Sequence, residues 1–472
     1  MRLVTLGSRA AIAVTAVALA TFALANCATS IRAELVMEGG ATATEGLARA
    51  IARSAAADWP QPLWREPVRP RGGAVVPAGG ALQAALEAAR AGDVLLLAPG
   101  DHPGPIRIDR SLTLWGPPDA VIRSAGVGHT IEVRADRVEL LGFSVSGSGR
   151  RFEQTDAAVS VQGNDCRVEG LRIRDALFGV TVDASRRVVI RGNDIQGLGG
   201  IDLGLRGDAI RFWEVRGSEI SGNRITESRD VVVWYSPGNR VVDNWCEFGR
   251  YGAHLMYSHS NEVSGNTYLG NLVGIFVMYS DSVVVARNRA AFSDPVGGLG
   301  IGIKESGQLS VRDNILLRNQ VGIYLDTSPL QRTHRNEFTG NRLLSCDTGV
   351  AFHRSEARSL FSANEWRGCS VAVRVEGRGN ALGVDWVGNY FDDYAGYDLD
   401  LDGVGDIPYE LVDLSNQLVG AREELRFLRG TLALGLLDLA GQVFPLLRPT
   451  PLLRDPRPRF APAPPGVPTH AR

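Results

Sequence analysis

From Gly179 onward the chain repeats one short pattern of apolar and polar positions. The segments starting at Gly252, Gly274, Gly300, Gly322 and Gly349 read GAHLMYS, GIFVMYS, GIGIKES, GIYLDTS and GVAFHRS. In each, the residues one and three after the Gly are apolar, and a Ser stands six after it. Earlier copies begin at Gly179, Ala209 and Asp230, and a later one at Ser370, at steps of 21 to 30 residues. Strict alternation over a few residues marks a half-buried strand. Its recurrence at roughly 22 residues marks a solenoid in which each repeat covers the next. A second column runs in phase: Asn193, Asn223, Asn244, Asn266, Asn288, Asn314, Asn341 and Asn364. Stacked Asn side chains can hydrogen-bond along the rod, and Asn tolerates left-handed backbone. These columns predict an all-β chain, a right-handed parallel β-helix of roughly ten or more coils. At about 4.8 Å per coil the rod is ~50 Å long.

The flanks read differently. Ala81–Ala89 is an amphipathic helix that caps the N-terminal end of the core, and Val94–Leu97 is the first strand. The repeat is expected to stop after Asn380. Leu414 to Leu439 has helical periodicity broken near Gly430, which predicts a C-terminal helical hairpin. Beyond it the tail is Pro-rich and runs extended. The expected organisation is a signal peptide over 1–25, an irregular leader over 26–75 and the β-helix over 76–380. An Asp-rich loop region follows over 381–413, then the hairpin over 414–443 and the tail over 444–472.

Composition changes this picture little. The 472 residues carry a net charge of −2, so no basic excess is available for phosphate neutralisation and no nucleic-acid partner is expected. Arg2 and Arg9 precede an apolar run from Ala10 to Leu24, and Ala23-Leu24-Ala25 supplies a small-residue cleavage site. Export is the implication. Leu24-Ala25-Asn26-Cys27 also reads as a degenerate lipoprotein signal. Cys166, Cys246, Cys346 and Cys369 are too few for a disulfide framework. Cys346 and Cys369 fall on adjacent coils at a spacing that permits a disulfide, with two small buried hydrophobes as the preferred reading.

Alternation puts the residues two and four after each Gly outside. One outer column reads Trp234, Met256, Met278, Lys304, Asp326, His353; the other reads His254, Phe276, Gly302, Tyr324, Ala351. The chain has 4 Met, and two of them stack here beside a His. Thioether and imidazole together suit soft Cu(I) better than Zn²⁺ or Ca²⁺. His254, Met256 and Met278, with His259 in the following turn, are the candidate copper ligands. The same stripe also reads as a partner-docking patch of Met and aromatics, with Trp234, Phe276 and Tyr324 on the rod and Phe444 in the tail. Farther along, Asp398, Asp400, Asp402 and Asp406 match the start of a calcium loop, but Tyr409 stands where the bidentate Glu belongs. A Ca²⁺-stabilised turn and local capping of backbone amides are the two readings.

Several motifs together resemble a known family, the periplasmic NosD maturation proteins of nitrous-oxide reductase. They are Arg250-Tyr251-Gly252-Ala253-His254-Leu255-Met256-Tyr257-Ser258-His259, Val277-Met278-Tyr279-Ser280, Lys304-Glu305-Ser306 and Gly388-Asn389-Tyr390-Phe391-Asp392-Asp393-Tyr394 continuing to Tyr409. The Phe444-Pro445-Leu446-Leu447-Arg448-Pro449 segment is also family-like. Leu255 and Phe391 depart from the Tyr and Trp expected there. The resemblance implies a non-enzymatic accessory role in the periplasm, in assembly of the copper–sulfide centre of the reductase. It implies as partners an ABC transporter membrane subunit with its ATPase, a copper lipoprotein chaperone and the reductase apoprotein. The rod would then sit peripherally on the inner membrane through the transporter.

Two other functions compete. Parallel β-helices also serve polysaccharide lyases, hydrolases and epimerases. Hydrolysis needs two carboxylates at a defined separation, and the outer stripe offers Asp183 and Asp326 only far apart along the rod. Proton abstraction from a uronate needs a base beside cations, for which Lys304 with Tyr279 or His254 is a thin version. A docking scaffold without metal is the third reading.

Overall fold

The computed structural model describes residues 41–62, 64–293, 297–353, 358–376, 379–412 and 451–462, with Thr431 and Leu436 besides. Residues 1–40, most of the expected helical hairpin, and Phe444 lie outside the described residues.

One unit, residues 1–58, includes a helix over Ala41–Ala55. This corrects the expectation of an irregular leader. The segment ATATEGLARAIARSA is rich in Ala and Arg, strong helix formers, with one Gly and no Pro.

The other unit begins at Trp59 and is a parallel β-helix. Among the described residues its strands stack into parallel sheets of 14, 12 and 13 strands. One coil runs from Val273–Met278 in the twelve-stranded sheet to Val284–Ala286 in the fourteen-stranded sheet. It continues to Arg289–Ala291 in the thirteen-stranded sheet and re-enters the first at Leu299–Lys304. The repeat works because alternate residues point inward: Ile275, Val277, Ile301, Ile303, Ile323 and Leu325 are all buried in one continuous core.

Polar ladders hold the corners. Each Asn of the predicted column donates from Nδ2 to Oδ1 of the next, at 2.9–3.0 Å from Asn193 to Asn389. Each Oδ1 also accepts the preceding ladder Asn's backbone N–H, as in Asn266 to Asn288 at 3.0 Å. The left-handed residue is not the Asn but the one before it, for example Gly265 (φ 70°) and Asp313 (φ 57°). The Ser column forms a second ladder at another corner. The backbone N–H groups of Ser236, Ser258, Ser280 and Ser306 donate to the next Ser hydroxyl at 2.8–3.1 Å. Buried polar groups are thus satisfied coil by coil.

The capping helix runs Leu82–Ala88, with Leu82 and Leu86 buried in the core. The first strand of the fourteen-stranded sheet is Ala74–Val76, paired with Val94–Leu97. At the other end the repeat does not stop at Asn380. Asp385–Val387 and Tyr390–Phe391 extend two sheets, because Gly388-Asn389 repeats the left-handed-residue-then-Asn corner. The described part of the tail folds back: Leu453–Asp455 pairs antiparallel with Tyr409–Leu411. Asp455 Oδ2 accepts Asn389 Nδ2 at 2.8 Å and terminates the ladder.

Candidate functional site

The outer face of the twelve-stranded sheet carries the predicted stripe. Pairing places Trp213, Trp234, Met256, Met278, Lys304 and Asp326 side by side on successive coils. His254, Phe276, Gly302, Tyr324 and Ala351 form the adjacent column. Both columns therefore lie as the alternation predicted.

At their centre His254 Nε2 lies 3.4 Å from Met278 Sδ, on the neighbouring coil. Met256 is the direct register partner of Met278. His254 is 5% exposed, while Met256 and Met278 are half-buried. The imidazole sits among aromatic rings: Trp234 at 5.2 Å and Tyr251 at 4.8 Å meet it edge-on, and Phe276 lies at 6.3 Å. Sequence reasoning placed Trp234 and Phe276 on a docking patch. The structure makes both of them walls of the histidine pocket.

Behind the imidazole is a group the sequence reading missed. His254 Nδ1 lies 3.8 Å from Asp230 Oδ2, too long for a formed hydrogen bond but close enough to be oriented by it. Nδ1 is otherwise buried without a hydrogen-bond partner. Asp230 is itself buried, accepts the Tyr251 N–H at 3.1 Å and is clasped by Arg250. Burial opposes ionisation of Asp230, but the facing His254 and Arg250 outweigh it and hold its carboxyl below the usual range. One coil back, Asp208 is pushed up to about 7 by burial and by the Asp230 charge, against the pull of Arg229 at 2.8 Å. One signal could have exposed Asp230: it stands where other coils of the repeat carry Gly, Ala or Ser, so a charge occupies a position that is otherwise small and uncharged.

The donor set is short-reach and soft. An imidazole nitrogen facing a thioether at 3.4 Å, with a second thioether one coil away, fits a monovalent soft ion with few ligands. His259 is not brought into this set. Its Nδ1 accepts the Asp281 N–H at 2.9 Å, across the following turn. Beside the stripe, Tyr235, Tyr257 and Tyr279 stack face to face, with ring centroids 5.2 and 4.9 Å apart. All three adopt left-handed backbone, at φ 50–51°.

The other candidates lie apart. Asp183 and Asp326 share the outer column but are six coils from each other. At about 4.8 Å per coil that is ~29 Å, against the ~5–10 Å that glycoside hydrolysis requires. In the Asp-rich loop, Asp398, Asp400 and Asp402 each offer an oxygen within 4.8 Å of the others. Their oxygens accept the N–H groups of Asp402, Gly403 and Val404. Asp406 caps Leu399 at 2.7 Å. Tyr409 leaves the loop for the core, stacked on Phe391 at 3.9 Å.

Fold and site together define a parallel β-helix protein with a soft-donor cluster on one outer face. The chain is similar to the NosD family. Residues 199–396, which span the cluster, match the family described as "Periplasmic copper-binding protein (NosD)". A protein named "Probable ABC transporter binding protein NosD" from Stutzerimonas stutzeri is 27% identical over 381 residues, 77% of this chain and 85% of that protein. A namesake from Pseudomonas aeruginosa is 27% identical over 389 residues, 77% of this chain and 87% of its own. Among solved structures, the catalytic unit of a GH87 α-1,3-glucanase from Streptomyces thermodiastaticus aligns with a TM-score of 0.54 at 15% identity. It covers 71% of this chain and 70% of that one, and this likeness shows the shared fold alone. Among the described residues no helix is long and apolar enough to cross a membrane.

Proposed function

We propose that this chain is a periplasmic accessory protein that receives Cu(I) as cargo on its outer stripe, in the service of nitrous-oxide reductase copper-centre assembly. The observation that carries this reading is the 3.4 Å approach of His254 Nε2 to Met278 Sδ, with Met256 in register beside it. His254, Met256 and Met278 are the proposed ligands. A neutral imidazole and two thioethers bring no negative charge, which favours a monovalent soft ion and allows release to a stronger thiolate or sulfide acceptor. Trp234 and Phe276 wall the site and keep water from the imidazole. The partners proposed are the ABC transporter that the relatives' names refer to, a copper lipoprotein chaperone and the reductase apoprotein.

The reading is tested by maturation of the reductase in cells that carry Met256→Leu and Met278→Leu together. Leu conserves volume and apolarity but removes both sulfur donors. Copper-loaded reductase is expected to fall at least tenfold with the level of this protein unchanged. Full loading would instead make the rod a docking scaffold without metal.

A further inference from the structure

We propose that Cys346 and Cys369 are joined by a disulfide, a covalent rung between two consecutive coils near the C-terminal end of the rod. The two residues occupy the same corner on successive coils. Strand Arg342–Leu344 pairs in register with Glu365–Arg367. The pairing then carries through the corner, where the Ser345 N–H donates to Arg367 O at 2.8 Å and the Ser370 N–H to Cys346 O at 3.2 Å. Register neighbours on parallel strands are about 4.8 Å apart, inside the ~4.4–6.8 Å Cα range of disulfides. Each thiol also donates to a carbonyl of the coil before it, Cys346 to Leu316 and Cys369 to Leu343, both at 3.5 Å. The two side chains therefore point the same way.

The corner itself gives the reason. On earlier coils it is held by an amide. Asn271 Oδ1 accepts the Gly249 N–H at 2.8 Å, and Nδ2 donates to Cys246 O at 2.9 Å. Asn319 does the same for Ser293 and Ala290. A thiol is a weak donor and a weaker acceptor, so two consecutive Cys abandon the amide rung. A cystine replaces it with a bond. Of the other described cysteines, Cys246 pairs with Ile225 and Tyr268, and Cys166 lies near the opposite end of the rod, bonded to Ala135 O. Neither has a cysteine neighbour to compete.

The chemistry balances with a disulfide-bearing oxidant, X–S–S–X. Cys369 is the more accessible of the two, and its thiol is held below the usual value by the hydrogen bond from Cys346. As thiolate, Cys369 attacks one oxidant sulfur and expels X–S⁻. Cys346 then loses its proton, attacks the Cys369 sulfur of the mixed disulfide and expels the second X–S⁻. Two protein thiols are oxidised and one oxidant disulfide is reduced to two thiols. A periplasmic location is where such oxidants persist. The rung also removes a dithiol that would otherwise hold Cu(I) more tightly than the thioether stripe.

Mature protein recovered from the periplasm is acid-quenched, unfolded and alkylated with and without prior reduction, and the peptides are mapped. Among the four cysteines of the rod, alkylation without reduction is expected at Cys166 and Cys246 alone, and after reduction at Cys346 and Cys369 as well. In Cys346→Ser protein, Cys369 becomes alkylatable without reductant. When reduced wild-type protein is treated with oxidised glutathione, the pair is expected to release two glutathione thiols and to retain no adduct on Cys346 or Cys369. Free Cys346 and Cys369 in the exported protein, or a stable glutathione adduct on Cys369, would overturn the proposal.

Discussion

His254 and Met278 meet across two neighbouring coils, imidazole Nε2 to thioether Sδ at 3.4 Å. The contact is diagonal: His254 faces Phe276 in register, and Met278 is two residues farther along that strand. A parallel sheet holds such a diagonal rigidly, because both strands are fixed by coils on either side. The proposed ligands are therefore preorganised by the fold rather than by a loop.

Asp230 is expected to act through His254. A carboxylate facing the non-ligating ring nitrogen selects the tautomer that leaves Nε2 free. Asp230→Asn keeps an acceptor for the Tyr251 N–H but weakens the hold on Nδ1. Competition against a chromophoric Cu(I) chelator should show an affinity loss of about 10- to 100-fold with the circular dichroism spectrum unchanged.

The Asn ladder is expected to carry much of the rod's stability. Asn288 serves four partners: Asn266 N and Nδ2, Val263 O and Asn314 Oδ1, all within 3.0 Å. Asn288→Ala strands these buried groups, and a loss of about 3 kcal/mol or more follows. A urea titration followed by far-UV circular dichroism measures it.

Asp455 closes that ladder from the returning tail, accepting both the backbone and side-chain N–H of Asn389 at 2.9 and 2.8 Å. Asp455→Ala should cost about 2 kcal/mol, and Asp455→Asn less, because one acceptor oxygen remains. Amide exchange would show the loss first in the coils around Asn364 and Asn389.

The buried pair Asp208–Asp230 predicts a pH dependence. The Asp208 pKa is raised from an ordinary 3.8 to about 7 in the folded chain. Between these values the native state holds a proton that the unfolded chain has lost, so stability falls as pH rises from about 4 to about 7. Asp208→Asn removes this titration. Its denaturation midpoint should vary less than that of wild type across this window, which unfolding titrations at pH 4.5 and 7.5 compare.

Much of this architecture is written in the chain, because a solenoid states its rule many times. The Gly, Ser and Asn columns repeat often enough that period and phase are unambiguous, and the outer columns follow by parity. What repeats only once is harder to read. Asp230 departs from its column, and nothing local says that its carboxylate lies behind an imidazole on the next coil. The tail gave no sign of folding back, because Asp455 looks like any other surface Asp until Asn389 needs an acceptor. His259 stands close to His254 in sequence, whereas the corner after Met256 separates them. The helix over Ala41–Ala55 was obscured by the low complexity of its Ala-rich segment.

The central claim is that the stripe holds Cu(I). Its most direct test is an anaerobic titration of the mature protein against a chromophoric Cu(I) chelator, beside a variant carrying His254→Ala, Met256→Leu and Met278→Leu. The account predicts one tightly bound Cu(I) per wild-type chain and at least a hundredfold weaker binding in the variant. Equal binding by both proteins, or none by either, would contradict it.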